Sequence, residues 1–150
     1  MGTILKNGIA YGASNQPTAA AVPYSNSTSG LTATNVQSAI DEVGSVTTFN
    51  CTLRSGYSLP TWGQCAGVRI GNVVIINVWG LRADAAHTGE AIFADTPYKA
   101  ASTAGALLSV DDQTSNAVMR SNANSTALYL SKYTTANKYM YGQLVYAVQD

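Results

Sequence analysis

Charge is what this chain most lacks. Charged residues make up 11% of its 150 positions, and eight Lys and Arg balance eight Asp and Glu to a net charge of zero. A soluble domain usually carries about 25%. With no basic stripe to neutralise phosphates, the composition argues against nucleic acid as a partner. Long apolar runs are missing too. The longest, residues 73–79, is strand-sized and interrupted by Asn77, far short of the roughly 18 residues of a membrane-spanning helix, so no membrane insertion is expected. The N-terminus lacks an apolar h-region, which argues against Sec export. Lys6 stands where a myristoylation motif wants Ser or Thr.

Chemistry-bearing residues are equally scarce. One histidine, His87, and two cysteines, Cys51 and Cys65, are too few for a four-ligand structural zinc site without carboxylates. The cysteines read as buried thiols, kept reduced in a cytosol and able to oxidise later if they face each other. There is no phosphate loop, dinucleotide fingerprint, EF-hand spacing or Gly-x-Ser-x-Gly elbow. No cofactor and no metal is expected, and the chain does not read as an enzyme.

What fills the space is Ala, Ser, Thr, Asn and Gly. Residues 1 to about 30 show no hydrophobic period and carry Gly8, Gly12, Pro17, Pro23 and Gly30. Alone, such a leader is disordered. Its scattered apolar anchors, chiefly Ile4, Leu5, Ile9 and Tyr11, suit docking along another surface. A short helix follows. Thr34 with Gln37 has capping-box spacing, and Gly44 is a C-terminal stop. Val36, Ile40 and Val43 step by four and three with Ala39 beside them, a single narrow seam that Leu31 precedes. About ten residues make about 15 Å of helix, too short to be stable alone.

From Val46 the pattern is β. Strands are expected at 46–53, 66–70, 73–81, 89–94, 105–110, 117–121, 127–132 and 138–149, with Gly71-Asn72 as a tight turn. Short strands at this spacing suggest a sandwich or barrel. Residues 73–81 are apolar on both faces, which predicts a central strand covered twice, the second time by a neighbouring subunit. Trp79 is expected in the core. Loop residues Trp62, Tyr57, Asp111, Asp112 and Tyr133 are the candidate ligand contacts: an exposed ring beside hydroxyls, amides and carboxylates suits sugars.

The stretch Tyr24-Ser-Asn-Ser-Thr-Ser-Gly-Leu-Thr-Ala-Thr-Asn-Val-Gln-Ser-Ala-Ile-Asp-Glu-Val43 resembles a segment that recurs in tailed-bacteriophage fibre proteins, in head fibres, tail fibres and receptor-binding proteins. Val68-Arg-Ile-Gly-Asn-Val-Val74 is similar to the hairpin that opens many of their head domains. Ala94-Asp-Thr-Pro-Tyr-Lys-Ala100 departs from the Leu-Pro-x-Gly-Tyr-Arg-Pro stretch many of them carry. The resemblance implies a homotrimer in the virion. It implies an extended attachment leader (1–30), a short helical trimeric neck (31–45) built on Leu31, Val36, Ala39, Ile40 and Val43, and an antiparallel, jelly-roll-like β-sandwich head (46–150). The implied partners are two identical chains, a capsid or tail protein, and a host-surface glycan. The expected role is a capsid-docked head fibre. A tail or baseplate adhesin is the alternative, and a free lectin-like module or glycan-degrading enzyme ranks lower.

Overall fold

The computed structural model describes residues 4–6, 9–11, 17–25, 27, 31–87, 89–111, 116–133 and 136–149, the first two groups by their backbone alone. The chain divides into two compact units, Met1–Ser45 and Val46–Asp150.

In the first unit, strands β1 (Ile4–Lys6) and β2 (Ile9–Tyr11) pair antiparallel, with Ile4 opposite Tyr11 and Lys6 opposite Ile9. The leader therefore holds regular structure where its lack of period predicted none. Ile4, Leu5, Ile9 and Tyr11 all lie on this strand pair. A single 3-10 turn follows at Ala19–Ala21. Helix α1 runs Val36–Gly44, and its cap differs from the expected one. Asn35 is the N-cap, and its side-chain oxygen accepts from the Ser38 backbone N–H at 2.9 Å. Thr34 is held in an extended pairing instead, its carbonyl accepting from the Tyr24 N–H at 3.0 Å. Gly44 is the last helical residue and does not take the left-handed conformation. Ser45 closes the helix, its hydroxyl donating to the Glu42 carbonyl at 2.9 Å.

Glu42 lies near the C-terminal end, where the helix dipole disfavours an anion. The structure supplies the compensation. Its carboxylate folds back to accept from the backbone N–H groups of Thr32 and Ala33 at 3.0 Å and from the Thr32 hydroxyl at 3.2 Å. This strap holds the incoming segment against the helix. On the helix, Ala39 is buried and Val36 half-buried, while Ile40 and Val43 stand more than half exposed at 58% and 59%. Tyr24 and Leu31 border the same open apolar depression.

The second unit is all β. Its strands are β3 (Val46–Asn50), β4 (Thr52–Leu53), β5 (Tyr57–Ser58), β6 (Gln64–Ile70), β7 (Val73–Ala83), β8 (Ala91–Asp95), β9 (Ala104–Val110), β10 (Asn116–Ser121), β11 (Ala127–Ser131) and β12 (Tyr139–Ala147). The fold is mainly β, its named strands all paired antiparallel, with one short helix among the described residues. The hydrogen bonds join all ten strands into one sheet, in the order β3-β6-β7-β12-β9-β10-β11-β8-β4, with β5 added to β7. They do not separate two sheets as in an ideal sandwich. Because β3 and β4 are consecutive, the two ends of this order are one strand interrupted at Cys51. Residues 46–50 pair with β6, residues 52–53 pair with β8, and the sheet curls toward closure as a barrel.

Inside lie Val74, Ile76, Val78 and Leu81 of β7, with Phe93, Leu108, Met119, Leu130, Met140 and Leu144 from the surrounding strands, all at 2% exposure or less. Gly67 is one of the places where this packing leaves no room for a side chain. A Cβ there would lie 2.5 Å from Phe49 Cζ and 2.8 Å from the Ile75 carbonyl oxygen. Gly67→Ala should therefore lower the unfolding free energy by about 2 kcal/mol. The readout is a lower urea midpoint at unchanged slope; an unshifted midpoint would show that β3 can move away at no cost.

Candidate functional site

The outer face of β3, β6, β7 and β12 follows from register. Four cross-strand rows run over it: Val46, Ile70, Val73 and Ala147; then Thr48, Val68, Ile75 and Val145; then Asn50, Ala66, Asn77 and Gln143; then Gln64, Trp79 and Tyr141. None of these positions carries a charge. The first two rows are mostly aliphatic. The last two are amides and aromatics, with Gln143 Nε2 donating to Asn77 Oδ1 at 2.8 Å and Trp79 set edge-to-face on Tyr141 at 4.8 Å. The expected second cover of β7 is a neighbouring subunit's, and the single chain leaves that side open; the expectation of Trp79 in the core is corrected here. One chain covers only the inner side of β7. Val46, Val145 and Trp79 are 62%, 50% and 57% exposed, so Trp79 belongs to the outer face and not to the core. The signal was in the sequence: Asn77 is the polar member of the Val73, Ile75, Trp79 face.

β7 and β12 carry this face to a rim at one end of the barrel. At Gly80 (φ +75°) β7 holds one extra residue opposite the step from Met140 to Tyr141, a bulge. The bulge resets the alternation, so Trp79 points out while Leu81 and Ala83 point in. Gly80 also makes a seat. A Cβ there would lie 2.5 Å from the Trp62 ring and 3.3 Å from Pro60 Cγ. Trp62, in the loop between β5 and β6, rests on that backbone, 52% exposed, with its ring edge-to-face on Tyr139 at 5.1 Å. Asp111 is joined to the same place, its N–H donating to the Tyr139 carbonyl at 3.0 Å.

Beside this group, Tyr57 pairs with Ala83 across β5 and β7. Its hydroxyl lies 3.2 Å from His87 Nε2 and its ring stacks on the imidazole at 5.9 Å. The His87 backbone N–H donates to the Tyr133 carbonyl at 2.7 Å. Tyr133 is buried at 1% exposure, its hydroxyl donating to the Lys138 carbonyl and accepting from the Lys138 N–H, both at 2.9 Å. Burial pushes the pKa of both Tyr57 and Tyr133 up, against the hydrogen bonds that lower that of Tyr133.

The structure thus gathers the loop candidates into two neighbouring clusters. Trp62 and Asp111 meet around Tyr139; Tyr57 and Tyr133 meet around His87. Of these, Trp62 and Asp111 are open to solvent, whereas Tyr133 offers no free surface. Asp112 lies outside the described residues. Trp79 and Tyr141 are additions that loop reasoning missed because they sit on strands. Among the described residues, no group of three or more His, Cys, Asp or Glu side chains is placed to hold a metal ion. The rim lies at the opposite end of β7 from the row where the chain enters the barrel at Val46. β7 is 11 residues long, so the separation is roughly 30 Å.

Gly80→Ala tests the seat. An L residue at that φ is strained, and the new methyl displaces the Trp62 ring. Tryptophan emission should shift to the red and the aromatic near-UV dichroism weaken, with the barrel still folded. Unchanged spectra would mean that Trp62 does not rest on Gly80.

No family model matches the chain, and no curated protein matches it. Among solved structures, the receptor binding protein (gp15) of Listeria phage PSA is similar in fold, with a TM-score of 0.53 at 13% identity, covering 76% of this chain and 71% of that one.

Proposed function

We propose that the chain is a bacteriophage virion protein, a short homotrimeric fibre that attaches through its N-terminal segment and presents its β head for host attachment. The observation that carries this reading is the uncharged outer face of β3, β6, β7 and β12, continuous over four strands and exposed in the single chain at Val46, Ile70, Val73, Trp79 and Val145. Exposed apolar patches of this extent mark association surfaces. The seam of α1 adds a second, with Ile40 and Val43 uncovered on a helix too short to stand alone. Two identical chains supply the missing cover for both, with the helices as a trimeric neck and the heads as jelly-roll-like β-sandwich or barrel lobes around the axis.

The rim, remote from the point where the chain enters the head, is the surface such a fibre would present. Trp62 and Tyr139 offer ring faces for sugar stacking, and Asp111 offers a carboxylate for sugar hydroxyls, so the ligand class we assign is a host-surface glycan. The strand pair bearing Ile4, Leu5, Ile9 and Tyr11 is the proposed docking element toward a capsid or tail protein. Of the two positions on the particle, capsid-borne fibre or tail and baseplate adhesin, the fold likeness to a phage receptor binding protein favours the second.

Sedimentation equilibrium of the full chain should give three times the 15.6 kDa protomer mass, and Ile40→Asp with Val73→Asp should give monomers. A wild-type monomer at micromolar concentration sinks the trimer. For the ligand, Trp62→Ala should weaken binding to purified host cell-wall polysaccharide about tenfold or more while trimers persist. Equal binding by the variant removes the rim from the proposal.

A further inference from the structure

The two cysteines meet at the one place where the barrel closes. The β3–β6 register sets Asn50 opposite Ala66, so the next pair along the ladder is Cys51 opposite Cys65. The ladder bond is present, the Cys51 N–H donating to the Cys65 carbonyl at 2.9 Å. One residue further, Thr52 has changed partner and pairs with Asp95 of β8. Both thiols are free; Cys65 is buried at 4% exposure and Cys51 is half-buried. Phe49, two residues before Cys51, packs inward on the core, as does Val78, opposite Cys65, so both cysteine side chains share the inner face. Residues paired in this way across an antiparallel ladder have Cα atoms about 5.5 Å apart, inside the window of roughly 4.4–6.8 Å that a disulfide spans.

We propose that Cys51 and Cys65 are a latent cross-strand disulfide, a covalent latch that forms when the folded chain meets a low-molecular-weight disulfide outside a reducing compartment. The thiols have different parts to play. A hydrogen bond from the Cys65 thiol lowers the Cys51 pKa, against the opposing effect of burial; the same hydrogen bond and burial push the Cys65 thiol up. Cys51 is also the less buried of the two, open to an external reagent where Cys65 is not, and it is the attacking sulfur. Its thiolate, having lost a proton to solvent, attacks one sulfur of the external disulfide, whose S–S bond breaks and releases one thiolate. Cys65 then loses its proton and attacks Cys51 Sγ, displacing the second external thiolate. Two protein thiols are oxidised, one external disulfide is reduced to two thiols, and the two protons end on those products. The latch ties β3 to β6 at the residue where the strand leaves β6 for β8, and it closes a loop whose ends are 14 residues apart (65 − 51).

The test uses the full chain, reduced, desalted and equilibrated with oxidised glutathione. The expected product is a polypeptide lighter by two hydrogens and not cross-linked to another chain, with no titratable thiol and a Tm higher than the reduced form by about 10 °C. Cys65→Ser should stop with one glutathione on Cys51, and Cys51→Ser should stay largely unmodified. The proposal is overturned if the folded wild-type chain keeps both thiols or halts as the glutathione adduct. Chains cross-linked to one another, or an oxidised form that melts no higher than the reduced one, would overturn it equally. Cys51→Ala/Cys65→Ala, assayed alongside, confirms that the Tm gain requires the bond and not the absence of thiols.

Discussion

Closure of the sheet by a single strand is the constraint on which the rest of the barrel depends. An open sheet of this size would present two unpaired edges, each a template for unwanted pairing. Residues 46–53 remove that problem by serving both ends of the strand order, bonding to β6 and then to β8. The change of partner is confined to Cys51. Once the ends are joined, inside and outside are defined for every strand. Phe93, Leu130 and Met140 can meet in one core, and the outer residues of β3, β6, β7 and β12 are committed to the outer face.

That commitment explains the odd composition. A barrel wall facing water would alternate apolar with polar, as antiparallel sheets with one wet side do. Here Val73, Ile75 and Val145 stand outside, and the polar members of the face are neutral amides. The amides are partly satisfied sideways, as Gln143 is by Asn77, so the face can be desolvated without stranding an ion. Charges sit elsewhere, in surface pairs such as Arg54 with Asp95 and Arg120 with Glu90.

Much of this was legible in residue order. The strand pattern located the eight main strands with ends displaced by at most two residues, because period-two burial is strong and Gly71-Asn72 turns tightly. The β1–β2 pair escaped because three-residue strands have too few positions to show a period, although Asn7-Gly8 between them is a turn signal. The helix cap was misassigned by one residue. Thr34 and Asn35 are both good caps, and only the backbone pairing of Thr34 with Tyr24 decides between them. Trp79 was misplaced because alternation says which residues share a face but not which face is inside. The rim shows the same gap. Trp62 and Asp111 are 49 positions apart in sequence, and only the β7–β12 register and the bulge at Gly80 bring them together around Tyr139.

The position of β12 has a kinetic consequence. It lies in the middle of the strand order, between β7 and β9, yet it is the last of the described strands in sequence. Its partner on β7 is far earlier in the chain, 66 positions for Gln143 opposite Asn77 (143 − 77). Contacts of such separation form slowly, because the loop between them must be closed first. During synthesis, β7 waits with both faces and one edge uncovered until Tyr139–Ala147 has left the ribosome. The barrel is therefore all or nothing with respect to translation. A chain interrupted before Tyr139 has lost the centre of its sheet and not a peripheral strand, and a cell making many copies at once would hold a standing pool of aggregation-prone intermediates.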